Sequence, residues 1–183
     1  MFIFISMITI IGTSFLPQVN SRLNTMQKEI NTFEENNLTS IGRRIILWET
    51  AIKAISEQPL KGFGLHKSKE VISTFIDNPD LRKEILIHPH FHNQYLIELV
   101  GKGIVGLISL LFLILFPCIL SYKLLTIPNI IFLPSIILIL CTSNILWGLT
   151  DASLGHGITN TFFIFMLSVS STSFNLLHSS EIP

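Results

Sequence analysis

The chain has 183 residues, of which 49% are hydrophobic and 13% charged, with a mean hydropathy of +0.59. Soluble domains carry roughly 25% charged residues, so this composition points to a membrane protein. Twelve basic and twelve acidic side chains cancel, which argues against a nucleic-acid partner, and Cys118 and Cys141 sit in apolar runs that suggest neither a disulfide framework nor a zinc cluster.

Of the 24 charged residues, 21 lie between Arg22 and Lys102; the others are Lys123, Asp151 and Glu181. Met1–Ser21 is uncharged and reads as a short first membrane span over 2–16 rather than a signal peptide. It lacks a basic n-region and a small-x-small cleavage site. A polar stretch follows over 17–95. Its first ordered element is set by Ile41, Ile45, Trp48, Ile52 and Ile55, whose spacings of 4, 3, 4 and 3 predict an amphipathic helix over 41–57. Thr39 or Ser40 is the expected N-cap, and Pro59 then Gly62 mark the exit. At about 100° per residue, Arg44 flanks this stripe, whereas Arg43 points nearly opposite, towards water.

Pro59–Gly64 reads as a tight turn, because glycine permits positive φ and close backbone approach, and its two glycines complete neither phosphate-loop pattern. A short helix over 66–77 should stop before Asn78-Pro79. Next comes His88-Pro-His-Phe-His92, three histidines at alternate positions. On an extended strand they would share a face and could ligate a metal, which leaves a metal-binding transporter fragment as a minor reading. Pro89 disfavours helix at His88, so the helical register begins near His92 or Asn93, with Asn93 as N-cap. His92 would then stand at the N-terminal mouth of a membrane helix. That position attracts anions and allows proton transfer near neutrality. Spans are expected over 98–121, 129–148 and 158–177, each near the ~20 apolar residues that cross a bilayer.

The predicted fold is an all-α integral membrane protein with about four transmembrane helices and a large helical loop between the first and second. Its organisation is 1–16, first span; 17–95, loop; 96–183, three-helix membrane segment. If the first helix spans, the loop and Lys123 lie on opposite sides. The positive-inside rule places Lys123 in the cytoplasm and the loop outside, periplasmic in a Gram-negative cell.

The order Arg44-x-x-x-Trp48-x-x-Ala51, Pro59-x-x-Gly62-x-Gly64, His90-x-His92-Asn93-x-Tyr95-Leu96-x-Glu98 and Gly103-x-x-Gly106-Leu107 resembles the O-antigen ligase-like membrane proteins. These comprise O-antigen ligases, Wzy-type polymerases and O-linked oligosaccharyltransferases. Trp147-Gly-Leu-Thr-Asp151 resembles the short external turn between that family's last spans. The resemblance implies an inner-membrane glycosyltransferase that moves a glycan from undecaprenyl diphosphate to an acceptor such as the lipid A core. It implies no metal or nucleotide cofactor. It assigns Arg44 to the diphosphate and makes His92 the essential histidine, with Arg43, His90, Asn93, Trp48 and Tyr95 as accompanying substrate-binding candidates. Typical members are about twice as long, so the chain is expected to correspond to their C-terminal half, with family membership predicted rather than autonomous catalysis. A polymerase, or a non-catalytic module that binds lipid-linked glycan or a partner subunit, stays open as an alternative.

Overall fold

The computed structural model describes residues 2–32, 38–126, 131–155 and 157–179. Within them lie seven helices: α1 Phe2–Asn31, α2 Ser40–Glu57, α3 Ser68–Phe75, α4 Pro79–Ile85, α5 Gln94–Leu124, α6 Phe132–Gly148 and α7 Gly157–Ser179. The expectation of an all-helical chain therefore holds. The predicted span over 129–148 starts at two positions, 129 and 130, that lie outside the described residues, as do position 1 of the first segment and positions 180–183 of the last. The chain divides into two compact units, 1–46 and 47–183, with the boundary inside α2.

In the first unit, α1 does not stop where the uncharged run stops. It continues through Pro17 to Asn31. Leu16, Val19, Leu23, Met26 and Ile30 keep a helical spacing of 3, 4, 3 and 4 across Arg22, where the charges begin, so the helical pattern outlasts the apolar composition. The start of α2 is capped twice: Thr39 Oγ1 accepts from the Gly42 N–H at 3.1 Å, and Glu29 Oε2 accepts from the Ile41 N–H at 3.0 Å. Both occupy donors that a helix N-terminus leaves unpaired, and the carboxylate also complements the helix dipole.

The isoleucine stripe does not face the core of the second unit. There α2 buries Leu47, Thr50, Ala51 and Ala54, while Ile52 is 61% exposed. The buried face is rotated about 130° from the stripe centre, at 100° per residue. The isoleucines suggested the seam, but Leu47, Thr50, Ala51 and Ala54 form it. Arg43 lies in the first unit. That residue is half-buried, and its Nε donates to Leu38 O at 3.1 Å in an exposed hydrogen bond.

The helix predicted over 66–77 is α3 alone, and α4 follows as an element that spacing did not reveal. Pro79 opens α4 with its missing N–H at a position that needs none, and Asn78 Oδ1 accepts from the N–H groups of Asp80 and Leu81 at 3.0 and 3.1 Å. Val71, Ile72, Ile76 and Ile85 are buried between these short helices and their neighbours.

Among the described residues, α5 is one helix long and apolar enough to cross a membrane, and α6 and Gly157–Ser168 of α7 are shorter apolar helices. The three pack around Leu110, Ile114, Cys141 and Phe163. α5 is broken at Gly103, where φ is 65° and ψ −158°. In an unbroken helix the Ile104 N–H would bond to Val100 O. Here Ile104 N–H donates to Pro59 O at 2.8 Å, while Val100 O and Gly101 O accept from the N–H groups of Phe63 and Gly64 at 2.8 and 2.9 Å. The Pro59–Gly64 turn thus straps onto the break and exchanges hydrogen bonds with it.

Candidate active site

Asn93 fixes the start of α5. Its Oδ1 accepts from the N–H groups of Tyr95 and Leu96 at 3.0 and 3.1 Å, as the N-cap expectation requires. Its Nδ2 donates to Leu149 O at 3.2 Å. The next two side chains reach the same distant segment. The Leu154 N–H donates to Gln94 Oε1 at 3.2 Å, and Tyr95 Oη donates to Ile145 O at 2.9 Å. Consecutive residues at the mouth of α5 are therefore tied to the end of α6 and the turn after it. Gln94 is buried and its amide also donates to Glu98 Oε1 at 3.0 Å, whose carboxylate pairs with Lys102.

Within this frame His92 adopts φ 47°, a left-handed conformation. That ends the extended alternation on which a three-histidine metal face depended. The His90 N–H also folds back onto His88 O at 2.8 Å, and His88 and His90 are exposed. The rings of His90 and His92 meet edge to face at 6.4 Å. The left-handed backbone places His92 Nδ1 3.5 Å from Asp151 Oδ1, with both side chains about one-third exposed. Asp151 is held in turn by its own turn, its Oδ1 accepting from the Ala152 N–H at 2.8 Å.

Three of the predicted binding residues have their polar atoms committed to this framework. Trp48 Nε1 donates to Phe91 O at 2.7 Å, and Phe91 is fully buried. Tyr95 and Asn93 serve the links already described. These three hold the histidine segment. Trp48→Phe keeps the ring and removes the donor, leaving Phe91 O unpaired. It should destabilise the fold by about 1–2 kcal/mol, measurable as an earlier melting transition in detergent.

Arg44, in the other unit, is half-buried and pairs with no carboxylate among the described residues. Asp151 was missed as a site residue by sequence reasoning. The available signal was its isolation, as the one charge between Lys123 and Glu181.

The sequence profile of the O-antigen ligase family matches residues 1–111. The chain belongs to the O-antigen ligase family. The matched stretch contains Arg44, the Pro59–Gly64 strap, His92 and the Gly103 break, while Asp151 lies beyond it. An uncharacterized protein of Haemophilus influenzae is 32% identical over 151 residues, covering 79% of this chain and 37% of that protein. The chain thus spans little more than a third of that relative's length. The O-antigen ligase family is one of membrane proteins, in keeping with the apolar helices α5 to α7.

Proposed function

We propose that this chain carries the proton-transfer half of a membrane glycosyltransferase that moves a glycan from undecaprenyl diphosphate to an acceptor hydroxyl, as in ligation to the lipid A core. The observation that carries this reading is the His92–Asp151 pair at the mouth of α5. Asp151 Oδ1 stands 3.5 Å from Nδ1, an electrostatic contact rather than a hydrogen bond; its negative charge favours a proton on the near nitrogen and leaves Nε2 as the basic one. In the proposed step Nε2 takes the proton from the acceptor hydroxyl, whose oxygen bonds to the anomeric carbon. The bond from that carbon to the diphosphate oxygen breaks with its electron pair, and the lipid diphosphate leaves. General-base assistance of this kind contributes about 10²–10⁴-fold.

Negative charge grows on the departing diphosphate, and a guanidinium can pair with it through two parallel hydrogen bonds. The family resemblance gives that role to Arg44. Its lack of a carboxylate partner among the described residues supports the reading. Arg44→Ala should lower transfer more than Arg44→Lys, and both should fall below wild type, because lysine keeps the charge and loses the fork. Neither change should shift the melting temperature. Equal activity of all three proteins in a reconstituted transfer assay would remove Arg44 from the mechanism.

In this reading the protein is an all-α inner-membrane protein with about four spans, the segment between the first two is periplasmic, and Lys123 faces the cytoplasm. Its partners are the lipid-linked glycan and the acceptor. A surface-polysaccharide gel comparing a deletion strain with its complemented form tests it. Loss of all long chains from the core supports ligation, and single-repeat capping supports polymerisation. An unchanged profile refutes glycan transfer.

A further inference from the structure

The Pro59–Gly64 strap crosses α5 where its charge ends. Glu98 and Lys102 lie upstream, and Gly103–Tyr122 is an uncharged run of 20 residues. At 1.5 Å per residue that run is about 30 Å long, the thickness of the hydrocarbon core, so Gly103 marks its edge. A helix break at such an edge frees backbone groups that lipid cannot satisfy. The strap satisfies them, through its bonds to Val100, Gly101 and Ile104.

The strap's own side chains sort by direction. Gly62 and Gly64, at φ 65° and 106°, reverse the backbone around Phe63, whose ring packs edge to face on Phe75 at 5.8 Å. Leu60 in the strap and Leu65, the residue that follows it, are left 67% and 62% exposed. Lys61, between them, is exposed and has no carboxylate partner among the described residues, whereas Lys67 pairs with Glu70 and Lys102 with Glu98.

We infer that the strap is a bilayer-interface anchor, with Leu60 and Leu65 entering the edge of the hydrocarbon and Lys61 meeting the lipid phosphates. Amphipathic segments settle at this depth because apolar side chains leave water while a lysine stem reaches back to the headgroups. The strap's backbone bonds to α5 hold it at that level. This anchoring is independent of glycan transfer and holds or fails separately from it.

Nitroxide labels test it in the full chain, on a background of Cys118→Ala and Cys141→Ala. Leu60→Cys, Leu65→Cys and, as an aqueous reference, the exposed Asp77→Cys are labelled and reconstituted into vesicles of phosphatidylethanolamine and phosphatidylglycerol. The labels at 60 and 65 should collide more with oxygen than with a water-soluble nickel chelate, and the label at 77 should show the reverse. Nickel-dominated collisions at 60 and 65 would overturn the anchor, and so would low accessibility to both reagents, which would mean protein covers the leucines. If Leu60→Cys melts early, Lys61→Cys takes its place and should report the headgroup depth.

Discussion

Replacing His92 by asparagine should cost about 10²–10⁴-fold in glycan transfer, the loss expected when a general base is removed. Asparagine is the informative substitution because it tolerates the left-handed backbone at φ 47°, which alanine would strain. A fall in rate with an unchanged melting temperature then reports chemistry rather than folding. Asp151→Asn should cost less, about 10–100-fold, as loss of a residue that orients an imidazole does. The double variant should be no slower than His92→Asn alone, because the carboxylate acts through the histidine. The measurement is turnover of a lipid-linked glycan by reconstituted transferase. Wild-type turnover in His92→Asn would dismiss the proton-transfer role, and additive losses in the double variant would separate Asp151 from His92.

Gly103→Ala should prevent the second unit from folding stably. Its φ of 65° with ψ of −158° lies in a region essentially confined to glycine, a cost of about 1–3 kcal/mol for another residue. Space forbids it as well: a Cβ would stand 2.3 Å from Leu60 O and 2.4 Å from Leu60 C. These are backbone atoms, so the strap must be pushed away. Its bonds to Val100, Gly101 and Ile104 are then lost, at about 1 kcal/mol each. The sum approaches the 5–15 kcal/mol that holds a typical domain together. Gly62→Ala should do nearly the same, since its Cβ would meet Val100 O at 2.6 Å. Gly157→Ala, with open space around its Cβ, should be neutral and serves as the control. Melting temperature and hydrogen exchange at the Phe63 and Gly64 amides read the outcome. A Gly103→Ala protein that melts like wild type would show that the strap is dispensable.

The sequence made some of these features legible and hid others for identifiable reasons. Residue type reveals local preferences, so the cap at Asn93, the entry at Thr39 and the helix limits near 40 and 57 were readable one residue at a time. The buried face of α2 was not, because hydrophobicity ranks Ile52 above Ala51 while close packing against a neighbour selects the reverse. Pro59–Gly64 and Gly103–Leu107 were each visible as glycine-bearing motifs. That they interlock is a property of two backbones forty residues apart, and no spacing within either encodes it. Asp151 was hidden for the same reason. The family resemblance supplied His92, and only the folded chain put a carboxylate beside it.

The ties from Asn93, Gln94 and Tyr95 to Leu149, Leu154 and Ile145 also impose an order on biogenesis. A nascent chain that has emerged only as far as α5 already contains the histidine, yet has neither its carboxylate nor the carbonyls that steady the helix entrance. The pair comes into being only after α6 has been made and has turned back alongside α5. Premature termination between those two points would therefore leave a polypeptide with the recognisable motif and an unformed His92–Asp151 pair.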